Sequence, residues 1–281
     1  MRLTTTDHDR DYDGMEYIYP VVSRRSGGVS VGVNLNPNKA CNWRCVYCQV
    51  PDLVRGSGPD IDTECLAREL HTLLDDIVHD DFFERLVPEG ARVLKDIAFS
   101  GDGESTSSPQ FEECVTVVGD ALGHFGLSGV VNLVLITNGS LVRQERVTAG
   151  LRVFEQLGGE IWFKLDRGSD EALQRVNGTR TTLAAQLMNL THAASLCPTW
   201  IQTCMFATDG EAPSQDEVDD YLRVLTQLLE ERVPVKGVLL YGMARPPMLP
   251  EAVNLSRLEA AWLEELGERI RALGLAVSVS P

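Results

Sequence analysis

GVSVGVNLNPNKACNWRCVYC, residues 28–48, joins two readings in one stretch. Its first half, GVSVGVNL ending near Leu35, is a β-branched, apolar run of strand type. Its second half is a short loop with three cysteines in eight residues, Cys41, Cys45 and Cys48. A strand that ends in a chemically loaded loop recurs along the chain. DIAFS (96–100) runs into Gly101-Asp-Gly-Glu104, VVNLVLI (130–136) into Thr137-Asn-Gly139, and EIWFKLD (160–166) ends on Lys164-Leu-Asp166. TWIQTCMF (199–206) carries Gln202 and Cys204, and VKGVLLYG (235–242) is followed by Met243-Ala-Arg245-Pro-Pro247. LAVSVS (275–280) is a short closing strand. VVNLVLI is apolar enough for burial on both faces.

Helical patterns separate these runs. One follows Asp62, one follows Pro109, and one extends from Leu141 to about Gln156. Ser214-Gln-Asp-Glu217 and Ser256-Arg-Leu-Glu259 both have capping-box spacing, in which the serine accepts from an early amide and the glutamate reaches back. About six strands alternating with helices predict an α/β fold with a parallel sheet and helical crossovers. A partial (β/α) barrel is the expectation and a doubly wound open sheet the alternative. Either fold puts its site at the C-terminal ends of the strands, where Gly, Cys and charged residues collect here. The 281 residues fit a single domain, with a core over about 25–245 and a C-terminal helix and strand over 254–280.

Composition narrows the function. Hydrophobic residues make up 43% and charged residues 23%, which excludes a disordered chain. No apolar stretch is long enough to span a bilayer. MRLTTTDHDRDYDG (1–14) is polar and acidic, unlike a secretory signal, so the expected location is the cytoplasm. The formal charge of −16 repels phosphate backbones and makes a nucleic-acid partner unfavourable. Arg24 and Arg25 form a local basic spot, read as solvated. Seven cysteines in such a chain do not suggest a disulfide framework.

The spacing C-x3-C-x2-C supplies three soft thiolate ligands to one centre. Structural zinc takes four closed ligands. Cys65 is a candidate fourth, but a helix starting at Asp62 would hold it elsewhere. A 4Fe–4S cluster on three cysteines leaves one iron open, as a reactive site requires. Lys164 and Asp166, two apart, share a strand face and either bind a ligand or close a buried ion pair. Gln202 and Cys204 share another face; Cys204 is either core filler or a hydrogen-atom donor. Asn138 either contacts a ligand or tolerates an unusual turn. Arg245 either grips a carboxylate or is a loop arginine. Cys114 and Cys197, like Cys65, read as core residues.

The triplet, with Tyr47 in the aromatic position before its last cysteine, resembles the signature of the radical SAM superfamily. The resemblance covers about residues 25–245. It implies a partial barrel with one 4Fe–4S cluster on Cys41, Cys45 and Cys48, and S-adenosylmethionine on the open iron. It also implies reductive cleavage to a 5′-deoxyadenosyl radical, which takes hydrogen from a small-molecule or nucleoside substrate. Gly101, Asp102, Gly103 and Glu104 are similar to the family's Gly-Gly-Glu motif, with Asp102 in place of the second glycine. Tyr47, this loop, Asn138, Lys164, Asp166, Gln202 and Arg245 are the implied cofactor contacts, and flavodoxin or ferredoxin the implied electron donor. An activase acting on a partner protein and an aminocarboxypropyl transferase are the alternatives within this chemistry. The run from Tyr19-Pro20 to Cys48, Lys164-Leu-Asp166 and Ala244-Arg-Pro-Pro247 resemble small proteins grouped with the wyosine tRNA synthases. Those synthases carry an upstream cysteine set, whereas no cysteine precedes Cys41 here.

Overall fold

The computed structural model describes residues 3–4, 10, 12–23 and 26–281; Arg24 and Arg25 lie outside them. Twelve strands and eight α-helices follow one another along this part of the chain. The strands are β1 (Ile18–Ser23), β2 (Gly28–Val33), β3 (Ala40–Cys41), β4 (Val54–Arg55), β5 (Leu94–Phe99) and β6 (Asn132–Thr137). They continue as β7 (Glu160–Lys164), β8 (Thr199–Met205), β9 (Ala207–Thr208), β10 (Val235–Gly242), β11 (Leu255–Ser256) and β12 (Val277–Ser280). The helices are α1 (Thr63–His79), α2 (Phe82–Leu86), α3 (Phe111–His124), α4 (Glu145–Gln156), α5 (Asp170–Asn177), α6 (Leu183–Leu196), α7 (Gln215–Glu230) and α8 (Ala260–Ala272).

Eight strands form one sheet in the order β1-β2-β5-β6-β7-β8-β10-β12. From β2 to β12 every pairing is parallel, and β1 joins β2 antiparallel at the outer edge. The sheet curls into a partial barrel, and the closing LAVSVS run supplies its seventh parallel strand. β1 is an addition to the strands read from the sequence. Its Pro20 sits opposite Val31 on an edge strand, where a missing N–H is tolerated.

The strands alternate with period two. Val29, Val31, Val33, Ile97, Phe99, Leu133, Leu135, Ile161 and Phe163 belong to one buried apolar cluster with the helices. The intervening residues Ser30, Asp96, Ala98, Ile136, Trp162, Lys164, Gln202 and Cys204 line the barrel interior. The outer face drives folding by apolar burial, and the inner face is left free for chemistry. VVNLVLI is shorter as a strand than its apolar run suggests. Val130 is 74% exposed, and the strand starts at Asn132.

Side-chain caps start four of the eight helices among the described residues. The Asp62 side chain accepts from the Cys65 amide at 2.9 Å, and Ser214 with Glu217 forms the expected capping box. Ser169 and Thr182 cap α5 and α6, two helices not singled out in the sequence. The Ser256–Glu259 box does not form. Ser256 pairs with Ala207 in the β11–β9 ladder, and α8 begins four residues later without a side-chain cap. A backbone ladder there has displaced a locally favoured cap.

Candidate active site at the strand ends

The cysteine loop is closed at its base by a two-residue parallel ladder, in which Cys41 pairs with Arg55. The Gly56 amide donates to the Cys41 carbonyl at 3.0 Å, and the Met248 amide to that of Cys48 at 2.8 Å. The last turn of α5 grips the middle of the loop. Arg44 N–H donates to the Asn177 carbonyl at 3.1 Å and Val46 N–H to that of Val176 at 2.9 Å. These bonds satisfy orphan carbonyls of the helix end while fixing both neighbours of Cys45. Gly178 ends α5 in a left-handed conformation, φ 56°, and a Cβ on it would lie 2.5 Å from the Arg44 carbonyl oxygen.

All three thiols open into one cavity of about 310 Å³ inside the barrel mouth. Burial raises the Cys41 thiol to about 12, helped by the Glu104 charge, and Cys45 to about 11; Cys48 is raised by the same cause. Among the described residues, no three His, Cys, Asp or Glu side chains are arranged to hold a single metal ion. Cys65 is on α1, where its Sγ faces Glu69, and Cys114 and Cys197 are buried in the core.

The cavity is also lined by Tyr47, Gly101, Gly103, Glu104, Asn138, Lys164, Gln202, Cys204 and Arg245. Of the residues read as cluster ligands or cofactor contacts, Asp102 and Asp166 do not line it. Asp102 turns toward Asn34, which donates to it at 2.7 Å, and toward Arg10, with which it forms an ion pair. The substitution in the glycine-rich loop therefore does not fill the cavity. Gly103 is the close-packed position, because a Cβ there would lie 2.1 Å from the Ala40 carbonyl oxygen.

Glu104 is 2% exposed and joins two strand ends. It accepts from the Thr106 and Thr137 hydroxyls, both at 2.6 Å, and from the Asn138 amide at 2.7 Å. Asn138 both shapes its turn and reaches the cysteine loop. Its side-chain oxygen accepts from the Ser140 amide at 2.9 Å, and its nitrogen donates to Asn42 at 2.8 Å.

Lys164 and Asp166 meet through a third residue. The Tyr47 hydroxyl accepts from Lys164 Nζ at 2.8 Å and donates to Asp166 Oδ2. Asp166 also accepts from the Cys204 amide at 2.8 Å and from Asn177 Nδ2 at 2.6 Å. Burial opposes the Lys164 charge, yet neighbouring Tyr241 and Asp166 outweigh it and raise its pKa. Burial, with Asp166 beside it, holds the Tyr47 phenol protonated. Burial likewise raises the Cys204 thiol. Gln202 is 2% exposed, and its Oε1 has no hydrogen-bond partner among the described residues. A buried acceptor on a cavity wall suits a ligand N–H or O–H.

Sequence reasoning did not single out Asn34, Asn36 or Asn177. Asn34 and Asn36 stand just after β2, the position that drew notice elsewhere. Asn36 Nδ2 donates to the Ala40 carbonyl at 2.9 Å and braces the cysteine loop. Asn177 carries only one local signal, the helix-ending glycine that follows it.

No family model matches the chain. It is 28% identical over 159 residues to a UPF0026 protein of Helicobacter pylori, covering 56% of this chain and 44% of that protein. A UPF0026 protein of Methanocaldococcus jannaschii is 28% identical over 158 residues, covering 56% of this chain and 42% of that protein. The chain thus spans less than half the length of these curated relatives. Among solved structures, a radical SAM methyltransferase from Sphaerobacter thermophilus superposes with a TM-score of 0.58 at 13% identity. The superposition covers 90% of this chain and 66% of that one. The chain has the partial-barrel fold of that radical SAM protein.

Proposed function

We propose that the chain is a radical SAM enzyme holding one 4Fe–4S cluster on Cys41, Cys45 and Cys48 and acting on a small-molecule or nucleoside substrate. The observation that carries this reading is the placement of three thiols on one cavity at the C-terminal end of a parallel partial barrel. The donor set fits the cluster. Three soft sulfurs on one cavity suit a thiolate-bound iron–sulfur centre. When bound, the cluster supplies the electron that cleaves the sulfonium of S-adenosylmethionine to methionine and a 5′-deoxyadenosyl radical.

The chain's own residues prepare that chemistry. Gly101 and Gly103 let the loop after β5 pack directly on Asn34, Asn36 and the Ala40 carbonyl at the base of the cysteine loop. Lys164 presents a cation suited to a carboxylate, and Tyr47 fixes its position. The Gln202 oxygen offers an unused acceptor. Trp43, Val50 and Ile136 supply apolar wall that keeps water from a reactive intermediate. The electron would come from a flavodoxin or ferredoxin, and the free thiols suit a reducing cytoplasm.

The test is anaerobic. The protein is reconstituted with iron and sulfide, mixed with dithionite and S-adenosylmethionine, and assayed for 5′-deoxyadenosine by mass spectrometry. Its formation, absent in Cys45→Ala, is the expected result. Methylthioadenosine in its place would redirect the reading to aminocarboxypropyl transfer. Failure to assemble any iron–sulfur cluster would sink the proposal.

A further inference from the structure

Asn177 reaches the cysteine loop with its side chain as well as its backbone. Its Nδ2 donates to Cys45 Sγ at 3.3 Å and to Asp166 Oδ2 at 2.6 Å. Asn177 is 0% exposed. Its amide oxygen is buried without a partner among the described residues, so nothing there anchors the opposite orientation. Turning the amide over would set an oxygen against a carboxylate and a sulfur, two acceptors. The nitrogen therefore faces Cys45.

Asp166 is itself held by the Cys204 amide and the Tyr47 hydroxyl. The amide of Asn177 is thus aimed by a rigid set of partners from β8, the cysteine loop and the segment after β7. The α5 carbonyls fix the backbone on both sides of Cys45 at the same time. One N–H is consequently directed at one ligand sulfur, and that N–H comes from a neutral residue.

Resting on the cluster reading above, we infer that Asn177 is a positioning residue that tunes the reduction potential of the cluster through Cys45. A hydrogen bond to a ligand sulfur withdraws negative charge from it. This favours the reduced cluster, which carries one more electron, and so raises the potential. Asn177→Leu removes the donor while keeping similar volume and adding no charge; it also takes a donor from Asp166, so the contact to Cys45 itself is read separately by the 15N coupling below.

The experiment is an EPR-monitored redox titration of the reconstituted protein, with iron and sulfide measured on each sample. Asn177→Leu should bind a full cluster and have a lower midpoint. The expected change is about a tenfold fall in the ratio of reduced to oxidised cluster at a fixed potential, equivalent to about 59 mV for one electron. A fully loaded variant with the wild-type midpoint overturns the inference. A second measurement reads the contact itself. Protein labelled with 15N-asparagine and reduced should show a weak 15N coupling to the cluster by pulsed EPR that Asn177→Leu lacks, Asn42 beside Cys41 being labelled in both; spectra that do not differ also overturn the inference. A wild-type protein that takes up no cluster overturns the functional reading on which this one rests, a result distinct from a cluster indifferent to Asn177.

Discussion

Glu104 ties two strand ends together and lines the cavity, and two substitutions separate its structural part from the proposed cofactor contact. The carboxylate holds the Asn138 amide and two threonine hydroxyls at the meeting of β5 and β6. Glu104→Ala leaves that buried amide without its acceptor, a loss of about 1–3 kcal/mol. Glu104→Gln keeps the Asn138 amide bond through its oxygen, and its nitrogen can donate to the threonine oxygens once their hydroxyls rotate, at the loss of the long 3.3 Å bond from the Thr106 amide. Urea unfolding of the cluster-free protein should therefore show a large loss for Ala and under about 1 kcal/mol for Gln. If Gln nonetheless weakens S-adenosylmethionine binding in calorimetry, the charge itself serves the cofactor. Equal stability of the Ala variant and wild type would show that the network has another support. Glu104 was legible in the sequence because it follows a glycine pair at a strand end. Asn177 was not, because its partners Cys45 and Asp166 are brought to it only by the fold.

At the scale of elements, the glycines distinguish close approach from idle flexibility. A Cβ at Gly103 would strike the Ala40 carbonyl, backbone of the strand that begins the cysteine loop. Gly103→Ala should displace that loop and reduce iron uptake in reconstitution, while far-UV circular dichroism stays close to wild type. Normal iron content would show that the loop can yield at no cost. Gly123, near the end of α3, has open space at its Cβ. Gly123→Ala should raise stability by about 0.5–1 kcal/mol in urea unfolding, from helix propensity alone. Gly119, a turn earlier, differs because its Cβ would lie 2.7 Å from a Leu157 methyl. Elements were legible where a local pattern matched the tertiary demand, as at Asp62 and Ser214. They were not where tertiary pairing prevailed. Ser256 and Glu259 have the right spacing for a cap, yet the ladder with Ala207 takes Ser256. β1, not among the strands read from the sequence, carries Pro20 at its centre and is a strand through its antiparallel pairing with β2.

At the scale of the molecule, the alternation of inner and outer residues explains why the strands read simply as apolar. The outer aliphatic set dominates the pattern, while the sparser polar inner set of Ser30, Asp96, Lys164, Gln202 and Cys204 lines the cavity. The same view bears on the C-terminal segment, which the sequence placed outside a core ending near residue 245. One buried apolar cluster runs from Tyr17 to Leu275 and includes Leu263, Leu266 and Ile270 of α8. β12 pairs along β10 from Val238 to Tyr241, and Tyr241 lines the cavity. Removing residues 259–281 would expose that edge of β10 and strip the apolar cover of α8 from the sheet. Each of the three buried side chains contributes about 1.5–3 kcal/mol, so together they rival the whole stability of an ordinary domain. The truncated chain should therefore aggregate on expression, or unfold at much lower urea than the full chain in a broad transition. If it instead unfolded cooperatively at the same urea concentration, α8 and β12 would be an appendage, and the β10 wall of the cavity would stand without them.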